Sequence, residues 1–236
     1  MPHGQERSNH MQYEIAGGSL PVVKVQLKAG ESIVCESGGM SWMDDEIEMQ
    51  TSAGGIGKAL GRMFTNEHAF LNTYIAQKDG EIALASKFPG SIRAVEITPD
   101  KGIVIQKGSF LAYVGDIENE VFFQKKLSTG FFGGEGFLMR RYHGRGIVFL
   151  EIDGSAHEYE IPAGDCKIID TSHVAAMSDS CKMDVRAVKG VKNALLGGEG
   201  FFNTVVHGPG KIILQSMPIA ATAMEIYNYM PHPSGR

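Results

Sequence analysis

Apolar and polar residues alternate along much of this chain. Val23, Val25 and Leu27 are interleaved with Lys24, Gln26 and Lys28, the period-two signature of a strand with one buried face. Three short apolar runs follow similar leaders. Leu27-Lys28-Ala29-Gly30 leads into 32–35, residues 97–102 lead into Ile103–Gln106, and Ile161-Pro162-Ala163-Gly164 leads into 167–169. Residues 138–142 and 147–152, joined by His143, Gly144, Arg145 and Gly146, read as a β-hairpin whose glycines supply the positive φ of a tight turn. Helix-forming Ala, Leu and Lys in 57–63 and 188–196 predict short helical turns. Residues 220–229 predict a C-terminal helix, stopped by Pro231 and Pro233.

The pattern repeats. Gly133-Gly134-Glu135-Gly136-Phe137 recurs as Gly197-Gly198-Glu199-Gly200-Phe201, 64 residues on. His143-Gly144-Arg145-Gly146 recurs as His207-Gly208-Pro209-Gly210 at the same offset of 64. A shared offset for two motifs is the mark of an internal repeat. A first copy is more diverged, with Asn66-Glu67-His68-Ala69-Phe70 in place of the glycine-rich motif. The expected architecture is all-β: one domain over 11–229, with repeats at about 27–97, 97–161 and 161–220 and pseudo-threefold symmetry. Residues 1–10 are expected to be a disordered extension and 230–236 a tail. One such unit leaves a sheet edge uncovered, so the copies should stack or close on one another.

Composition narrows the classes of function. The 236 residues are 43% hydrophobic and 21% charged, ordinary for a folded domain. A net charge of −5 opposes nucleic-acid binding, which calls for a basic face. The basic pairs Lys125-Lys126 and Arg140-Arg141 read as solvated faces. Cys35, Cys166 and Cys181 are three in number, without a Cys-x-x-Cys, so buried free thiols are expected. No transmembrane run or leader pattern is visible, and a cytoplasmic address is expected.

The stretch Met11-Gln12-Tyr13-Glu14-Ile15-Ala16-Gly17-Gly18-Ser19-Leu20, the stretch Glu36-Ser37-Gly38-Gly39-Met40-Ser41-Trp42-Met43 and the doubled Gly-Gly-Glu-Gly-Phe are similar to a bacterial family of unknown function. That family is related to the yeast altered-inheritance-of-mitochondria protein. The resemblance runs over nearly all of 11–229. It implies a TRAP-like fold (after the tryptophan RNA-binding attenuation protein), with three β-sandwich repeats per chain and three chains in a ring. It carries no catalytic residues, and a shared fold does not carry function.

Candidate chemistry is sparse. Glu67, Glu135 and Glu199 occupy equivalent positions, where a carboxylate can bind turn amides or join others around an axis. One carboxylate per copy is few for a Ca²⁺ or Mg²⁺ site. His143 and His207 flank the hairpin glycines without His-x-His or His-x-x-x-His spacing, so no metal and no cofactor is expected. Residues 54–58 fail as a phosphate loop, because Ser52 and Ala59 stand at two required positions. Three glycine-rich apolar segments gather Ile56, Leu60, Met63 and Phe64; Phe131 and Phe132; Leu195 and Leu196. They read as core or subunit contact, or as a patch for a partner or an anionic membrane beside Lys58 and Arg62. The leading expectation is a non-enzymatic oligomeric scaffold or binding module, a homotrimer. The rivals are a small-molecule binder or enzyme with a site between repeats or subunits, and a peripheral membrane or partner protein.

Overall fold

A computed structural model describes residues 7–8, 11–50, 71–125, 136–187 and 202–230. Among them the chain is almost entirely β. The strands are β1 (Arg7–Ser8), β2 (Met11–Ala16), β3 (Val22–Leu27), β4 (Ser32–Glu36), β5 (Met40–Met43) and β6 (Ile47–Gln50). There follow β7 (Leu71–Ala76), β8 (Gly80–Ala85), β9 (Gly90–Ile97), β10 (Ile103–Gln106), β11 (Phe110–Lys125) and β12 (Phe137–Asp153). The last are β13 (Ala156–Ile161), β14 (Cys166–Asp170), β15 (Val174–Ser178), β16 (Lys182–Ala187), β17 (Phe202–His207) and β18 (Gly210–Gln215). Among the described residues one α-helix, α1 (Ile219–Tyr229), follows β18 as its pattern predicts. The predicted helical turns at 57–63 and 188–196 lie outside the described residues.

The chain folds into two compact units. The first takes Met1–Ile97, Phe110–Ile117 and Gly144–Glu151. Its strands β1-β2-β3-β8-β5 form one antiparallel sheet. The alternation read in β3 is real: Val23, Val25 and Leu27 are buried. In the same unit β4 pairs β7 on one side and β11 on the other, and β6 pairs β7. Ile33, Cys35, Ile82, Leu84 and Phe149 fill the core. Tyr13 meets Phe149 edge to face at 5.3 Å, a favoured aromatic geometry.

The second unit takes Thr98–Ser109, Glu118–His143 and Ile152–Arg236. Its strands run β13-β18-β15-β10-β12, with a separate sheet β14-β17-β16. Val104, Phe137, Met139, Val174, Met177, Val206 and Ile212 make its core. Strands β4 and β10, predicted from short apolar runs, carry apolar residues on both faces and pair on both sides.

The predicted hairpin at 138–152 is not formed. Strand β12 runs unbroken through His143–Gly146. The glycines serve a close backbone approach instead. A Cβ at Gly144 would lie 2.2 Å from the Asp116 carbonyl oxygen, and one at Gly146 would lie 2.1 Å from that of Val114. Gly144 also has φ +121°, a region that favours glycine. The second copy of the motif behaves alike. A Cβ at Gly208 would lie 2.2 Å from the Ile161 carbonyl oxygen. Strands β17 and β18 on either side of it join different sheets.

Candidate functional site

The glutamates and loop residues singled out by sequence lie outside the described residues: Glu67, Glu135, Glu199, Phe64, Phe131, Phe132, Leu195 and Leu196. His143 sits 3.5 Å from Glu118, and His207 sits 3.8 Å from Asp184. Each of the two matched histidines thus meets a carboxylate on the neighbouring strand. These pairs are largely solvent-exposed, so each contributes little to stability. Of the basic pairs, Arg141 bonds Glu120 at 3.0 Å and stacks over Phe122. Among the described residues no three metal-ligating side chains gather.

Sheet edges are where the described surface departs from ordinary. Among the described residues strand β5 ends the first sheet and β14 ends the three-stranded one. An unpaired edge offers a row of free backbone donors and acceptors. Here each edge also carries a large apolar side chain in solvent: Trp42 on β5 is 49% exposed and Ile168 on β14 is 66% exposed. Local packing fixes both strands. Asp44 accepts the Glu81 N–H at 2.8 Å and holds the end of β5 beside β8. Asp170 accepts from the N–H and hydroxyl of Ser172, turning the chain after β14. Lys167 on β14 stands 4.3 Å over the Tyr159 ring, a cation–π contact.

The cysteines divide. Cys35 and Cys181 are buried, as expected, and burial pushes the Cys35 thiol up to about 12 and raises that of Cys181. Cys166 corrects the expectation of buried thiols: it is exposed, at the start of the free strand β14. Asp153 is buried in the second unit, and burial raises its carboxyl above the usual range. It accepts the Ile219 N–H at 2.8 Å, at the first turn of α1, where a helix favours negative charge. Helix α1 itself leaves Met224, Ile226, Tyr227 and Tyr229 exposed.

The sequence reading missed Trp42 and Ile168. A signal was present: Ile168 and Ile169 are adjacent, so an isolated edge strand must put one of them into solvent.

Comparison with known proteins places the chain. Residues 13–217 match the family described as mitochondrial biogenesis AIM24. The chain belongs to the AIM24 family. It is also 28% identical over 236 residues to an uncharacterised protein of Streptococcus pyogenes serotype M6, covering 96% of this chain and 94% of that relative. Its fold resembles the crystal structure of a Streptococcus pyogenes protein with a TM-score of 0.77 and 25% identity, over 94% of this chain and 100% of that one. The family resemblance drawn from Met11–Leu20, Glu36–Met43 and the doubled glycine motif holds for AIM24 as a family. No reaction comes with it. No helix among the described residues is long and apolar enough to cross a membrane.

Proposed function

We propose that this AIM24-family chain is a non-enzymatic oligomeric β scaffold, assembled as a homotrimer from chains with three copies of one strand unit. The observation that carries the reading is the pair of open edges, β5 and β14, each with a large apolar side chain in solvent. Soluble proteins usually blunt such edges with charge, proline or cover.

The strand plan supports the threefold, TRAP-like reading. The pairings β3-β8-β5 recur as β13-β18-β15, and β4-β7-β6 recurs as β14-β17-β16. Strands β9 to β12 supply the middle copy, in which β9 and β10 both pair β12. Three free thiols without a disulfide support the cytoplasmic placement that belongs to the same proposal.

Light scattering coupled to gel filtration tests the reading. The expected result is a mass of three chains at micromolar concentration. A single-chain mass, or a turnover abolished by one substitution, would sink it.

A further inference from the structure

Two seams inside the chain follow one rule. In the first unit, β4 lays its outer edge against β11, with Val34 opposite Tyr113 and Cys35 opposite Ala112. In the second, β10 lays its outer edge against β15, with Val104 opposite Met177 and Ile105 opposite Ala176. Both seams pair a β-branched residue with a large flexible or aromatic one, and a core residue with alanine. All eight side chains are buried, none above 5% exposed.

The rule names two strands left over. Strand β14 follows β10 at the repeat offset of 64, which sets Ile168 on Val104 and Ile169 on Ile105. Strand β5 matches β15 by pairing. Met40, Trp42 and Met43 face Leu84, Ala83 and Ile82 of β8; Val174, Ala176 and Met177 face Leu214, Ile213 and Ile212 of β18. The register shifts at the same place in both, between Met40 and Trp42 and between Val174 and Ala176. Trp42 therefore stands where β15 has Ala176, and Met43 where it has Met177.

We infer that β14 of one copy pairs antiparallel with β5 of a second copy, forming a third seam of the same kind between chains. Ile168 then lies opposite Met43, Ile169 opposite Trp42, and Lys167 opposite Asp44. The exposure pattern fits. Val104 and Ala176 are fully buried where their seam is made, while Ile168 and Trp42, at the matching places, are 66% and 49% exposed. The chemistry fits too. Ile168 against Met43 repeats Val104 against Met177, and Lys167 against Asp44 adds opposite charges across the strands. The contact is head to tail, because the two copies contribute different edges to it, and such contacts close into rings when the rotation allows. This inference rests on the oligomeric reading above and names the surfaces that make it.

The test uses the full chain. Ile168→Asp and Trp42→Asp should each reduce the assembly to single-chain mass in light scattering. Tyr229→Asp, on the exposed end of α1, should leave it unchanged. In a Cys166→Ser background, Ile168→Cys with Met43→Cys should oxidise to disulfide-linked chains on a non-reducing gel. Ile168→Cys with Glu48→Cys should not. If the Asp variants fail to fold, the disulfide pair decides alone. An oligomer that keeps its mass in both Asp variants and gives no crosslink would overturn the seam and leave the oligomeric reading standing. A single-chain mass for the unmodified protein would overturn both. A disulfide formed within one chain would overturn the pairing between copies.

Discussion

Strands β5 and β15 pair one neighbour in the same way and live in different surroundings. Each pairs a neighbour with the same spacing and the same irregularity. Yet Val174, Ala175, Ala176 and Met177 of β15 are all buried, while Ser41 and Trp42 of β5 are exposed. The difference is the second neighbour. Strand β15 has β10 on its far side, whereas among the described residues β5 is the last strand of its sheet. Residue size tracks this. Alanine suffices where a partner strand already closes the seam, and tryptophan stands where the seam is open. Burial in a sheet is thus set by what lies alongside a strand as much as by its own sequence.

The comparison can be broken in four ways, of falling size. The largest effect is expected where two strands leave no room. Gly146→Ala puts a Cβ 2.1 Å from the Val114 carbonyl oxygen, and the backbone must move. A loss of about 3 kcal/mol or more, the range of severe overpacking, should appear in urea unfolding.

Next comes the matched pair Val104 and Ile168. Val104→Ala, at 0% exposed, should cost about 2–3 kcal/mol from lost transfer energy and the cavity left behind. Ile168→Ala should change the stability of dissociated chains by under about 0.5 kcal/mol, as at other surface positions. Equal losses would mean that β14 is already covered within the chain.

Thiol labelling sharpens the contrast between edge and core. Cys166 should react with iodoacetamide under native conditions, and Cys35 and Cys181 only after unfolding, since a protonated, buried thiol is a poor nucleophile. Cys166 should react faster still in Ile168→Asp, where the proposed seam is gone.

The smallest effect is electrostatic. Burial raises the Asp153 carboxyl above its unfolded value. Its contribution is therefore favourable at low pH and is lost as pH rises through the raised folded value. Asp153→Asn should stabilise the chain slightly at pH 7, with the gain vanishing below the ordinary carboxylate range. Thermal melts at pH 3 and 7 would show it.

Much of the fold was legible without coordinates. The alternation in β3, the apolar runs of β4, β10 and β14, and the terminal helix all follow from side-chain periodicity. The hairpin at His143–Gly146 did not, because glycine supports two different structures. It permits a tight turn, and it also permits another backbone to come within contact distance. The local sequence is the same in either case.

By itself the sequence determined the strand class, the 64-residue repeat of two motifs and the AIM24 resemblance, since these depend on residue order and local periodicity. Only the tertiary structure decided which glycines face a neighbouring backbone, which thiol reaches solvent, and that Trp42 and Ile168 stand on open edges. Those properties depend on which strand lies beside which. A strand's second neighbour is chosen by packing between segments far apart in the chain, and no window of local sequence contains it.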